Sequence, residues 1–157
     1  MKGNKMYPML VLTLISATAA VAAACVRRIP EGHAYTLRRI GGHMRTIGAG
    51  THLVVPIVER VAHKISLLGN VVELGRVQAE HSERVFGGQV YFQVLDAERA
   101  DPVIDNVSEL VRGCLPTALA EMADVDPTAR NQHVKADLNL QLRARGLLVT
   151  RVQITPL

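Results

Sequence analysis

The amino-acid sequence predicts an α+β protein: an N-terminal transmembrane helix followed by one domain of antiparallel strands packed with two or three helices. Three observations carry this expectation. The run from Met6 to Val26 holds no charged residue and is closed by Arg27 and Arg28. At ~1.5 Å of rise per residue, about 21 helical residues cross the ~30 Å hydrocarbon core of a bilayer. Residues 29–95 alternate β-rich runs with glycine and proline breaks, and residues 105–145 change to helical spacing before a final β-rich run. About 131 residues follow the first 26, enough for one compact domain and too few for two of ordinary size. The expected organisation is an anchor over 1–26 and a domain over 27–157.

The core available to that domain is aliphatic. The chain has no Trp, three Tyr and two Phe. Val, Leu, Ile and Ala suit a sheet with helices laid on it, whereas so few ring faces argue against base stacking and single-strand nucleic-acid binding. The net charge of +4 comes largely from Arg27, Arg28, Arg38, Arg39 and Arg45 after the apolar run and from Arg143 and Arg145 near the end. Cations close to a membrane surface gain ~1 kcal/mol each from anionic headgroups, which accounts for the excess without nucleic acid. No basic run interleaves with aromatic residues either. Cys25 and Cys114 make no disulfide framework, and Cys114, inside a helical apolar stripe, reads as a small buried hydrophobe.

Residues 1–26 admit three readings. A cleaved secretory signal would use Lys2 and Lys5 as its basic region and Ala22-Ala23-Ala24 as its small-residue cleavage site. A lipoprotein signal would end at Cys25, but Ala22 stands where a larger aliphatic is usual. A retained anchor fits the length best, because signal cores run only ~7–15 apolar residues. The cations after the run outnumber Lys2, Lys5 and the terminal amine before it, which favours the domain on the cytoplasmic side.

Pro30-Glu31-Gly32 is a turn, and Ala34–Ile40 an extended segment that Gly41-Gly42 breaks. His43–Ile47 returns as the second arm of a hairpin. Gly48-Ala49-Gly50 is a tight loop, and Thr51–Pro56 a short apolar run ended by proline. Glu59–Leu67 alternates imperfectly, with Val61, His63 and Ile65 expected on one face of a half-buried strand. Asn70–Leu74 continues as another extended piece, and Gln78–Arg84 is polar and loop-like. Val85–Leu95 is the strongest strand, placing Val90, Phe92 and Val94 on one face, with Gly87-Gly88 marking a bulge or bend.

Residues 96–101 then form a helical turn. Asp105-Asn106 caps a helix from Val107 to about Met122 with a stripe of Leu110, Val111, Cys114, Ala118 and Leu119, and Pro116 should kink or split it. Asp126-Pro127 starts a second helix carrying Val134, Leu138 and Leu142, and Gly146 takes the left-handed cap. Leu147–Thr155 is the last strand, with Leu148, Thr150, Val152 and Ile154 expected on one face.

This order resembles the SPFH (band 7) domain of stomatins, prohibitins and flotillins. The residues that carry the resemblance are an apolar leader, Pro30-Glu31-Gly32, a strand ending in Gly41-Gly42, the loop Gly48-Ala49-Gly50, Thr51-His52-Leu53-Val54-Val55-Pro56 and a basic strand. The usual family loop reads Pro-Gly-Leu-His before its apolar residues and proline. Here Gly50, His52 and Pro56 are kept, Ala49 replaces the proline and Thr51 the leucine. Val90–Ala100 and the close from Gly146 into Val149-Thr150-Arg151-Val152 extend the similarity. Family helices matching Val107–Met122 usually lack a proline such as Pro116. Family members typically continue into a coiled coil, and this sequence ends at Leu157, which sets the expectation of small oligomers or monomers instead of large rings.

No catalytic constellation is legible. His33, His43, His52 and His63 recur about every ten residues but on different strands and turns, unlike the two-to-five spacing of short zinc motifs. Gly-x-Ser-x-Gly is absent, a nucleophilic Cys114 sits in the wrong surroundings, and Gly48-Ala49-Gly50 lacks the rest of a phosphate loop. Glu109 and Glu121 read as a solvated helix face, and Asp105 and Asp126 as caps. The sequence therefore predicts no enzyme, cofactor or metal. The resemblance implies a membrane scaffold that self-associates, organises lipids or proteins, and modulates a membrane protease or channel. Its candidate membrane-interface residues are Arg27, Arg28, Leu53, Val54 and Val55. For the last three, a core-entering strand is the competing reading. The alternative function is an exported periplasmic or extracellular binding module, released after Ala24.

Overall fold

Strands in the first half are short because glycine and proline interrupt them, and they assemble in layers. The computed structural model describes residues 6–80, 83–120, 122 and 125–157. Helix α1 (Met6–Cys25) carries no charge and has no polar face to turn outward, and its span from Tyr7 is only 6% buried. It leads directly into strand β1 (Val26–Ile29), which pairs antiparallel with β4 (Gly50–Leu53) as a two-stranded ribbon. The middle sheet has the order β3 (Met44–Ile47), β2 (His33–Arg39), β5 (Glu59–Ser66), again antiparallel. The third sheet is β6 (Asn70–Gln78), β7 (Val85–Val94), β8 (Leu147–Pro156). Between β7 and β8 the chain makes the short helix α2 (Ala97–Ala100), a 3₁₀ turn (Ile104–Asn106), α3 (Val107–Ala120) and α4 (Pro127–Leu142). Every strand pair is antiparallel, and the α+β class with an apolar N-terminal helix is as expected.

The two faces of the middle sheet are used differently. Leu37 and Ile47 meet Ile29 of β1 and Val54 after β4, forming a small core under the ribbon. Ala34, Thr36 and Ile65 lie on the opposite face and are buried, and Ile65 belongs to the large core built by β6–β8, α3 and α4. That core is wholly aliphatic apart from Phe86 and Phe92. Val134, Leu138 and Leu142 of α4 are buried there at the predicted spacing of four, and Asp126 caps the helix by accepting from the Thr128 and Ala129 amides. A 3₁₀ turn (Arg143–Arg145) follows, and Gly146 takes the left-handed conformation, φ +74°. The Asp96 carbonyl occupies the place where a Cβ at residue 146 would stand.

Several expectations are corrected. The predicted face of the last strand fails halfway, because Thr150 is a bulge: Tyr91 pairs with Arg151 and Phe92 with Val149. Leu147 and Val149 point to the core before the bulge, Val152 and Ile154 after it, while Leu148 and Thr150 are only half-buried. The same effect separates Val61, which is exposed, from His63 and Ile65, since Ala62 is the extra residue between Thr36–His63 and Leu37–Val61. Strand β6 does not stop at Leu74 but continues to Gln78 across a bulge at Gly75-Arg76, opposite Gly87. Part of the predicted 78–84 loop, His81 and Ser82, lies outside the described residues, as does Glu121.

Pro116 does not split α3, which runs through it. The helix is held on both sides of the proline by buried Leu115, Ala118 and Leu119, and the Pro116 carbonyl accepts the Glu80 amide at 3.0 Å. Leu115 is fully buried, whereas Leu110 and Cys114 sit at the stripe's edge. The predicted cap at Asp105-Asn106 is replaced by the 3₁₀ turn, which has no side-chain cap.

Side chains of α4 also reach the free edge of β8. Asn139 both donates to the Val149 carbonyl (3.0 Å) and accepts its amide (2.7 Å). Asn131 accepts the Ile154 amide, and buried Arg130 donates to the Ile154 carbonyl at 3.3 Å while lying over the Phe86 ring. On the other edge, Arg112 of α3 donates to the Glu73 carbonyl at 2.8 Å.

Candidate functional site

The end of α1 is tied into the domain by backbone hydrogen bonds. In the ribbon register, Val26 faces Leu53, Arg27 faces His52 and Arg28 faces Thr51. The Val54 amide then donates to the carbonyl of Cys25, the last residue of α1, at 2.7 Å. Beyond it the chain folds into a turn in which the Val58 and Glu59 amides both donate to the Val55 carbonyl. The Val58 carbonyl accepts the Ile40 amide at 2.9 Å, which brings in the tip of the β2–β3 hairpin. A continuous rim therefore runs from the exit of α1 through Leu53–Val58 to Ile40–Gly42. His52 stiffens its base by donating from Nε2 to the Gly48 carbonyl at 2.9 Å.

The predicted interface residues divide along this rim. Val54 is buried in the small core, so for it the core-entering reading holds. Leu53 is 68% exposed, and Val55 and Val26 are exposed beside it. Arg27 and Arg28 are exposed on β1. Two residues not singled out from the sequence join them: Ile57 at 82% and Ile40 at 73% exposure, with Arg38, Arg39 and Arg60 around them. Isolated exposed aliphatics are ordinary, but here several lie along one hydrogen-bonded stretch that starts at the end of an apolar helix, with arginines beside Ile40 and Ile57. The backbone bond from Ile40 to Val58 brings Ile40 to this stretch, and linear sequence carries no sign of it.

A second group of side chains converges where the middle sheet meets the helical turns. His63 Nδ1 lies 2.9 Å from Asp101 Oδ1, and Nε2 lies 3.3 Å from Asp105 Oδ2. Carboxylates only accept, so both contacts are filled only when both ring nitrogens carry protons. The hydrogen bond to Asp101 raises the His63 pKa, opposed by burial and helped by the negative charges of Asp101 and Asp105. The sequence places His63 on a half-buried strand and Asp105 at a helix cap, with nothing to join them. The available signal was the Asp101–Asp105 spacing of four, which puts both carboxylates on one side of a helical stretch.

The Cys114 thiol is pushed up by burial first and then by Asp137, with Arg145 opposing, so it stays protonated near neutral pH. Among the described residues, no group of three or more His, Cys, Asp or Glu is arranged to hold a metal ion. Set against known protein families, the sequence matches no family model.

Proposed function

We propose that this chain is a single-pass membrane protein whose SPFH-like domain rests on the bilayer and works as a scaffold. In this reading it self-associates and organises membrane proteins or lipids, with a membrane protease or channel as its client and no chemistry of its own. The supporting observation is the unbroken hydrogen-bonded path from Cys25 to Val54, Val58 and Ile40. In this reading the path holds the domain close to the exit of α1, and Leu53, Val55, Ile57 and Ile40 are the exposed apolar side chains available to meet the bilayer. Arg27, Arg28, Arg38, Arg39 and Arg60 then meet anionic headgroups, and their number after the anchor favours the cytoplasmic side.

Alkaline extraction of membranes and N-terminal sequencing of the mature chain test the anchor. Retention of the chain in the pellet with residues 1–26 intact is the expected result. Cross-linking in intact membranes, followed by identification of the adducts, tests the scaffold. Adducts of the chain with itself and with a membrane protein support it, and monomers alone would sink it.

One observation favours a second reading, the exported binding module. Among the described residues, the domain's backbone bonds to the N-terminal helix stop at Cys25, so cleavage after Ala24 leaves the ribbon and both cores complete. A soluble chain beginning at Cys25 would sink the anchor and favour that reading over the first.

A further inference from the structure

We infer that His63 is a proton-operated tie between the middle sheet and the turn that opens α3, and that Asp105 is its released arm. The inference stands whether or not the chain is held in a membrane. His63 projects from the face of the middle sheet that meets the helical part of the domain. Its neighbours on that face are Thr36 on β2 and Thr46 on β3, which are uncharged and lie 3.5 Å apart through their hydroxyls. Arg38 and Arg60 lie on the same face at the exposed end of the strands. Lys64, over the Tyr35 ring, and the Arg45–Glu59 pair belong to the opposite face. Asp101, after α2, and Asp105, in the 3₁₀ turn, are the charges that reach the ring.

The two carboxylates are not equivalent. Asp101 is 8% exposed, and a buried carboxylate that loses its donor has no water to replace it. The Asp105 side chain is 74% exposed and is solvated without the ring. When the imidazolium loses one proton, it therefore loses it from Nε2. The neutral ring keeps Nδ1–H on Asp101 and turns a bare nitrogen lone pair toward Asp105, which lets go.

The released carboxylate has somewhere to go. Asp105 stands two residues before Val107, the first residue of α3, in the 3₁₀ turn that leads into that helix. A free aspartate at that position is solvated and lies near the positive end of the helix. The arm thus has two alternative settings, against the imidazolium when the ring is charged and in solvent near the start of α3 when it is neutral. The folded ring holds its proton more tightly than an unfolded one. The tie is therefore fully present below the ordinary value of 6.5 and is lost as pH rises through the higher folded value.

The test uses the full chain in detergent micelles or lipid nanodiscs. The imidazole of His63 is followed by NMR from pH 5 to 9 and assigned by through-bond correlation to its own backbone. Its midpoint is expected above 6.5, with the Nδ1–H tautomer at high pH, and Asp105→Asn is expected to lower the midpoint. Amide exchange over residues 104–108, corrected for intrinsic pH dependence, should change through that midpoint in the native chain and not in Asp105→Asn. A midpoint at or below 6.5, a midpoint unmoved by Asp105→Asn, or the same exchange profile in both proteins would overturn the tie. Asp105 is exposed enough that the substitution leaves the core untouched.

Discussion

Replacing Ile57 and Leu53 together by aspartate separates docking of the rim from anchoring by α1. Fully removing a large aliphatic side chain from water is worth about 1.5–3 kcal/mol. With 82% of Ile57 and 68% of Leu53 exposed in the free domain, their combined contribution to docking is about 2 kcal/mol at the lower coefficient. That corresponds to about a 30-fold change in the ratio of docked to undocked domain, at 1.4 kcal/mol per tenfold. New carboxylates facing anionic headgroups add to the loss. The chain contains no Trp, so Ile40→Trp supplies a single fluorophore on the neighbouring loop, and Tyr7→Trp supplies one inside the anchor. In nanodiscs of anionic, brominated lipid, Ile40→Trp should be quenched and blue-shifted, and Ile57→Asp with Leu53→Asp should return it to the emission of an exposed indole. Tyr7→Trp should be quenched with or without the aspartates. An Ile40→Trp signal that reports water in the otherwise native chain, or one the aspartates leave unchanged, would refute the docked rim while the Tyr7→Trp signal still marks the anchor as inserted.

Three further outcomes are expected. Leu138→Ala, at a fully buried position of α4, should cost about 2–5 kcal/mol in chemical denaturation. Gly88→Ala should be worse tolerated than Gly42→Ala in thermal melts. Both glycines have positive φ, but a Cβ at 88 collides with the Gln153 backbone, whereas one at 42 meets nothing. Cys114 should react with iodoacetamide at pH 7 more slowly than free cysteine and accelerate only above its ordinary range, because its thiol pKa is raised; a fast reaction at pH 7 would show that burial does not govern it.

The apolar N-terminal helix, the hairpin at Gly41-Gly42, strand β7 and helix α4 were legible because each rests on a local rule: length, turn chemistry, alternation, or capping with a spacing of four. What escaped was set by contacts between distant segments. Alternation along β8 places Val152 and Ile154 correctly but puts Leu148 on the core face in place of Leu147 and Val149, because the sequence does not mark Thr150 as the residue that partner β7 leaves unpaired. Pro116 carries a strong local signal for a break, and packing of Leu115, Ala118 and Leu119 overrides it. The rim was half visible: Leu53 and Val55 lie in one short run, but Ile40 reaches them only through the Val58 carbonyl. His63 and Asp101 lie 38 residues apart, and no periodicity connects them.

The asparagine and arginine arms of α4 have a consequence for how copies of this chain can join. A sheet grows by presenting free amides and carbonyls to an incoming strand. On β8, both groups of Val149 are taken by Asn139 and both groups of Ile154 by Asn131 and Arg130. The Glu73 carbonyl on β6 is likewise taken by Arg112. An incoming strand would therefore have to displace these side chains at Val149, Ile154 and Glu73 before it could pair there. Where edge groups are already taken, contacts between copies fall to side-chain surfaces, whose strength and reversibility can be tuned residue by residue.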